Sequence, residues 1–168
     1  MESKAKILGH AVHQILVPFP LGLLATAVVF DIIYLIWDKP VLATAAFYMI
    51  AAGVIGGLAA APFGWIDWFA IPQGTRAKSV GLMHGVGNVI VLLLFAVSCY
   101  LRYGEHIEHR PSTLALILSF AGFALAGMTA WLGGELVDRL GVGVHNGAHL
   151  DAPSSLSGRP ATDQSTGN

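Results

Sequence analysis

Histidines occur near the start of two long apolar segments, at spacings that place them on one face of a helix. His10 and His13 are three residues apart, and His84 stands four residues before Asn88, so each pair would lie on one side of its helix. Imidazoles from two helices can bind a haem iron as its axial ligands. We therefore predict a cofactor held by His13 and His84, with Asn88 hydrogen-bonded to it.

Two carboxylates accompany these histidines. Asp67 lies near the end of the second apolar segment and Glu135 near the end of the fourth. Imidazole and carboxylate groups together bind zinc, iron and other first-row metals, and they can also relay protons. The candidate ligands of a divalent metal are His10, His13, Asp67, His84 and Glu135. Local pairing stays open as an alternative, Asp67 with Arg76 and Glu135 with Arg139 one helical turn on.

Glycines surround the third-segment histidine. Gly81, Gly85 and Gly87 flank His84, and their missing side chains would leave room for a flat or bulky ligand near the backbone. Small residues at this spacing also let two membrane helices approach closely. Both interpretations remain open from the sequence.

Four apolar segments must position these groups, and each is long enough to cross a bilayer as a helix of about 20 residues. They run approximately over 11–37, 42–71, 80–101 and 113–137. The expected fold class is therefore all-α, an integral membrane bundle of four transmembrane helices. Pro18 and Pro20 should kink the first helix near its start, because each removes a backbone hydrogen bond.

The chemistry-bearing residues fall at one level of this bundle. At a rise of 1.5 Å per residue, His84 lies roughly 6 Å inside its helix, and His13 and Asp67 lie at similar depth. Ionisable side chains inside a membrane are costly and usually functional. We predict that these three side chains meet, with Asp67 orienting an imidazole.

Composition excludes several classes of protein. Of the 168 residues, 55% are hydrophobic and 11% are charged, whereas about a quarter of residues are charged in soluble domains. The net charge of -1 provides no broad basic surface, so we expect no nucleic-acid partner. The chain has no Cys-x-x-Cys-His motif, so any haem would be held non-covalently.

Basic residues predict the orientation. Both termini and the loop between the second and third segments share one side, and cytoplasmic loops carry an excess of Lys and Arg. That side holds six of the nine basic residues: Lys4, Lys6, Arg76, Lys78, Arg139 and Arg159. The other side holds Lys39, Arg102 and Arg110. We expect cytoplasmic termini, and we expect Asp31 at the far interface with Lys39 as its partner.

Residues 1–150 are predicted to form one transmembrane domain, followed by a tail over 151–168. The tail is mostly Ser, Gly, Pro, Thr and Asp. Because it has little apolar surface to bury, we predict that it is disordered.

Several motifs in this order are similar to those of a known membrane family. They are Gly9–Gly22, Gly64–Asp67, His84 with Asn88, Trp131–Val137 and Gly141–Val144. Over about residues 9 to 144 the chain resembles the family called domain of unknown function 2231. The resemblance implies a four-helix membrane domain, mostly bacterial, and therefore the bacterial cytoplasmic (inner) membrane.

The resemblance adds no settled activity. Some relatives are fused or adjacent to Rieske-type iron–sulfur domains, which implies redox work. The positions matching the family are those selected by depth, namely His13, Asp67, His84 and Glu135. Many relatives have Tyr and His where this sequence has Asp138 and Leu140, so the resemblance gives these two positions no role.

The resulting hypothesis is a redox or metal-binding membrane protein, with non-covalent haem b ahead of a divalent metal ion. One alternative is a non-catalytic membrane subunit or scaffold whose polar layer fixes helix register. Another is a proton-coupled carrier, which would have to dimerise to enclose a path. The expected partners are the lipid bilayer and either a redox partner or a second copy of the chain.

Overall fold

The computed structural model describes residues 1–103 and 109–164, and their long helices form a four-membered bundle. The helices are α1 Val12–Leu16, α2 Pro18–Trp37, α3 Pro40–Ala70, α4 Arg76–Tyr103 and α5 Thr113–Gly134. Four segments of the described chain are long and apolar enough to span a membrane: Val12–Trp37, Pro40–Ala70, Arg76–Tyr103 and Thr113–Arg139. The predicted all-α membrane architecture is confirmed.

Prolines and a hydroxyl side chain set the helix starts. Pro18 and Pro40 occupy the first turns of α2 and α3, where the missing N–H has no intrahelical acceptor in any case. The predicted kink in the first span is a division between α1 and α2 at Val17. Ser112 caps α5, its side chain accepting a hydrogen bond from the amide of Ala115.

The bundle consists of two hairpins. Helix α2 packs mainly against α3 and α4 mainly against α5, with a lesser α3–α4 contact and little contact between α2 and α5. The buried core between them is Leu24, Ala27, Val28, Ala46, Ile50, Val91 and Phe95. Glycine allows close approach within it, since a Cβ on Gly57 would lie within 3.2 Å of a methyl of Leu92.

The N-terminus and the described residues after α5 lie near one end of the bundle, which we call the terminal end. The chain begins there with a strap, Met1–Ala11, which contains the short hairpin Lys6–Ile7 and His10–Ala11. Helix α5 continues at this end into a π-helical turn, Glu135–Arg139. From residue 140 the described chain forms turns and one 3-10 turn, Ser155–Ser157. Disorder of the tail and its boundary at residue 150 remain predictions.

A buried ion pair lies near the opposite end, which we call the loop end. Arg102 donates to both oxygens of Asp31 at 2.7 and 2.6 Å, and both side chains are fully buried. Ser98 and Ser119 complete the guanidinium contacts at 3.3 and 3.2 Å. The expectation of an interfacial Asp31 paired with Lys39 was therefore wrong. Helix α4 extends past its predicted end at 101 and carries the arginine into the bundle.

Candidate functional site

A cavity of about 390 Å³ lies inside the bundle and extends inward from the terminal end, within the usual size range of ligand pockets. Its lining on α4 runs from Gly81 to Phe95, roughly 20 Å at the helical rise per residue. Polar side chains line its terminal part: His13, Gln14, Asp67, His84, Asn88 and Thr129. Apolar side chains line its deeper part: Leu24, Val91, Leu92, Phe95 and Phe123. The cavity is therefore amphipathic.

His13 reaches this cavity from α1. Its Nδ1 lies 3.0 Å from the backbone oxygen of Ala60 on α3. Because a carbonyl only accepts, Nδ1 carries a proton and donates, so that in the neutral form of the ring Nε2 is an acceptor or metal ligand. The ring lies against Gly64, where a Cβ would come within 2.9 Å of Cε1. Glycine at that position is what allows the imidazole to sit there.

His84 repeats the arrangement on the other hairpin. Its Nδ1 lies 2.8 Å from the backbone oxygen of Thr129 on α5, so Nδ1 again donates and, in the neutral form of the ring, Nε2 is the acceptor. The ring packs on Gly133, where a Cβ would lie 3.2 Å from Cε1. The same three-part unit, a histidine, a helix carbonyl and a glycine, thus occurs once in each half of the site.

The two imidazoles are neighbours. Their ring centroids are 6.4 Å apart and the ring planes are nearly perpendicular, at 86°. The prediction that His13 and His84 meet, although they come from different helices, is therefore confirmed. The pair presents two basic nitrogens inside one membrane-embedded cavity.

Asn88 supports the second histidine. Its amide nitrogen donates to the backbone oxygen of His84 at 2.9 Å and lies 3.5 and 3.3 Å from the two ring nitrogens. Its amide oxygen accepts from the hydroxyl of Thr129 at 3.1 Å. Since the amide nitrogen lies almost equally far from both ring nitrogens, it is not directed at Nε2 alone. Asn88 therefore holds helix α4 to α5 beside the imidazole.

Asp67 lines the same cavity but binds the strap. The hydroxyl of Ser3 lies 2.8 and 2.7 Å from its two oxygens, and the amide of Lys4 donates to it at 2.7 Å. The prediction that Asp67 orients an imidazole was wrong, because backbone carbonyls bind both Nδ1 atoms. Its alternative pairing with Arg76 is not seen either.

The remaining predicted ligands have other partners. Glu135 forms an ion pair with Arg76 at 2.7 Å rather than with Arg139. His10 is exposed on the hairpin, with Nε2 3.3 Å from the hydroxyl of Ser155. Within the described residues, no three His, Cys, Asp or Glu side chains are placed to hold one metal ion. The predicted five-ligand set is therefore not gathered in one place.

The glycines around His84 are covered by other side chains. A Cβ on Gly81 would lie 2.8 Å from Cδ1 of Trp68, and one on Gly85 would lie 3.5 Å from the ring of Trp65. The methyl of Thr129 covers Gly87. These contacts agree with the packing interpretation, while Gly81 and Gly85 also line the cavity.

Sequence reasoning missed a clamp at the α3–α4 turn. The indole N–H of Trp68 donates to the backbone oxygen of Lys78 at 3.0 Å, and the Lys78 ammonium donates back to the Trp68 carbonyl at 2.8 Å. The ammonium also lies 3.9 Å from the centroid of the Trp68 ring, which is a cation–π contact. The sequence indicates Lys78 only as a basic residue of the loop. The available signal was that Lys78 follows Trp68 by ten residues, across the turn that contains Pro72 and Gly74.

The fold and the site together define a polytopic membrane protein with a histidine-lined internal cavity. A family model described as predicted membrane protein (DUF2231) matches residues 9–146, and the chain belongs to this family. No curated protein and no solved structure matches the chain. The match spans the second strand of the hairpin, His10–Ala11, the described helices of the bundle and the first residues after the π-helical turn.

Proposed function

We propose that the protein binds one haem non-covalently in its cavity, with Nε2 of His13 and of His84 as the axial ligands. The supporting observation is the pair of adjacent imidazoles, each with Nδ1 already bonded to a helix carbonyl. Such a bond fixes the ring and raises the basicity of the other nitrogen. A bound haem would supply one-electron chemistry, so the proposed role is electron transfer in the membrane.

The donor set favours haem over a bare metal ion. A protein zinc site uses three or four side-chain ligands, and the three other candidates here are engaged elsewhere, with Ser3, Arg76 and Ser155. A haem iron has four ligands from its own macrocycle and needs only two from the protein. Two histidines on different helices meet that requirement.

The other residues of the cavity suit the same ligand. Asn88 and Thr129 fix α4 against α5, and Gly64 and Gly133 provide flat backbone surfaces beneath the two rings. Leu24, Phe95 and neighbouring apolar side chains exclude water from the deep part. An amphipathic ligand would therefore place its polar edge at the terminal end and its apolar edge inside the membrane.

The test is haem content in purified full-length protein. We expect about one haem per chain, and loss of most of it in both His13→Ala and His84→Ala, because each supplies one axial ligand. His10→Ala is the matched control, since His10 is exposed outside the cavity. Absence of haem from the wild type after incubation with haemin, or full occupancy in both variants, would refute the proposal.

A scaffold role is the second candidate. In the described part of the chain, no buried side-chain nitrogen or oxygen lacks a hydrogen-bond partner, as expected of a polar layer that fixes helix register. Under this alternative, His84→Ala would lower the melting temperature while the wild type shows no haem band. Haem binding separates the two candidates directly.

The proposed location is the bacterial cytoplasmic membrane, with the terminal end in the cytoplasm. The excess of Lys and Arg on that side supports it. An electron-transfer role further requires a redox partner or a second copy of the chain within reach of the cavity. Crosslinking in intact membranes would identify either.

A further inference from the structure

The strap binds residues on two sides of the cavity at the terminal end of the bundle, which we call its aqueous mouth. Ser3 is buried and binds Asp67 at the end of α3. At the other side, the carbonyl of Met1 accepts from the amide of Gly143, and its amino group donates to the carbonyl of Gly141 at 2.7 Å. Asp67 and Gly143 both line the cavity. The strap therefore bridges two sides of the mouth.

The loop after α5 is shaped to meet the strap. Gly143 has a φ of +82°, and a Cβ there would collide with the side-chain amide of Gln14. Only glycine adopts this conformation without strain while approaching α1 so closely. The loop, α1 and the strap thus converge where a water-soluble ligand would have to enter.

A second side of the cavity faces the bilayer. Helices α2 and α5 make little contact, and residues on both line the cavity while remaining exposed at the surface of the bundle. They are Leu21 on α2 and Val17 just before it, with Phe123 and Ala130 on α5. All four lie within spans apolar enough to cross a membrane. The line along which α2 and α5 face each other, which we call the α2–α5 seam, is therefore surrounded by lipid.

We propose that the α2–α5 seam is a lateral portal through which the cavity takes a lipophilic ligand from the bilayer, while the strap closes the aqueous mouth. The ligand is the haem of the proposed function, on which its identity rests. A portal lined by aliphatic and aromatic side chains admits a flat apolar molecule and excludes a hydrated, multiply charged one. The portal thus faces lipid, whereas the mouth faces water.

Thiol labelling tests the portal without haem. The reporter is Ala61→Cys, a cavity-lining position on α3, in a Cys99→Ala background and in lipid nanodiscs, which expose both faces. We expect a lipid-partitioning pyrenyl maleimide to label it at least about tenfold faster than a sulfonated, water-confined maleimide, relative to their rates with a free thiol.

Separate variants block the portal and release the strap. Ala130→Trp, and independently Leu21→Trp, should slow the pyrenyl reagent by about tenfold, because an indole fills the seam. Ala124→Trp is the matched control, exposed on α5 but away from the cavity. Ser3→Ala should speed the sulfonated reagent by about tenfold, because it removes both hydroxyl contacts to Asp67.

Each outcome is decisive for the portal. Equal labelling by the two reagents, an unchanged pyrenyl rate in both seam variants, or a reporter that neither reagent reaches would overturn it. Haem uptake from preloaded lipid should slow in Ala130→Trp and not in Ala124→Trp. If no variant takes up haem but the thiol rates behave as expected, the portal stands and the identity of its ligand is wrong.

Discussion

The two ends of the bundle each hold a polar layer inside the membrane, and the layers differ in how they are completed. At the loop end, Asp31 and Arg102 form a bidentate ion pair that is fully buried. The hydroxyls of Ser98 and Ser119 accept hydrogen bonds from the same guanidinium. At the terminal end, His13 and His84 each bond a helix carbonyl through Nδ1 and line a cavity, with the amide of Asn88 3.3 Å from Nε2 of His84.

This difference separates a structural layer from a ligand-binding one. A buried charge whose contacts are all internal holds helices in register, and it has no remaining capacity to bind anything else. An imidazole with one bonded nitrogen retains a ligand position. The apolar core of Leu24, Ile50 and Phe95 separates the layers, so changes in one should leave the other intact.

The largest expected effect is at the loop end. Arg102→Met should lower the free energy of unfolding by about 3–5 kcal/mol, because it leaves Asp31 buried and unpaired. The double variant Asp31→Leu with Arg102→Met should recover most of that loss. Thermal unfolding in detergent measures both, and Asp38→Asn is the control, since Asp38 pairs with Arg110 at the exposed surface. Equal small losses in all three variants would show that the buried ion pair does not hold the helices together.

The next effect concerns the surfaces beneath the histidines. Gly64→Ala and Gly133→Ala should push the rings from their positions and weaken haem binding by about 10–100-fold, the range seen when groups orienting metal-bound histidines are changed. Gly134→Ala is the control, because nothing lies within 4 Å of a Cβ built there. Haem titration followed by absorbance gives the affinities. If Gly64→Ala and Gly133→Ala both bind haem with unchanged affinity, these glycines do not position the two imidazole rings for haem binding.

A smaller effect is expected for the clamp at the α3–α4 turn. Lys78→Met should lower stability by about 1–2 kcal/mol through loss of the cation–π contact and the bond to the Trp68 carbonyl. That loss should be below the loss in Arg102→Met, since the described partners of Lys78 are a neutral ring and a carbonyl. Lys4→Met, an exposed lysine on the strap, is the comparison in the same thermal assay. A loss of stability as large as that in Arg102→Met would contradict the expectation that the clamp contributes less than the buried ion pair.

The smallest effect is a pH dependence of the strap. The Lys6 ammonium, followed by the amide of Asn146, holds the pKa of the Glu2 carboxyl below its ordinary value. A lowered pKa means that the ionised form stabilises the folded strap, so this contribution is present at neutral pH and is lost as pH falls through the lowered pKa. Hydrogen exchange in Met1–Ala11 should therefore be faster in Glu2→Gln than in wild type at neutral pH. The two should converge in acid, and a difference that persists there would contradict the linkage.

The helices and the histidine pair could be predicted from the sequence because both follow from local quantities. A span is identified by apolar length, and the depth of His13 or His84 is identified by counting residues from the helix start. The carbonyl partners were not predictable in this way, since every residue has a backbone carbonyl and nothing in the sequence distinguishes those of Ala60 and Thr129. The glycines beside both rings were visible in the sequence, but nothing local linked them to a histidine.

The errors concern charges whose partners lie far along the chain. Arg102 was counted as a loop residue, because sequence reasoning assigns an arginine at a helix end to water. Its burial depends on a carboxylate 71 residues away and hydroxyls on two helices. Likewise, Asp67 was given to the nearby histidines, whereas its partner is Ser3, 64 residues earlier on the strap. Long-range complementarity of this kind is absent from any local pattern.

The most direct test of the open histidine layer is the spin state of haem in the purified wild-type protein. Electron paramagnetic resonance of the ferric form should show a low-spin centre with two histidine ligands, because two neutral imidazoles provide a strong axial field. His84→Ala and His13→Ala should each convert it to a high-spin or empty form. A high-spin signal in the wild type, or no haem signal at all, would contradict the assignment of His13 and His84 as a ligand pair.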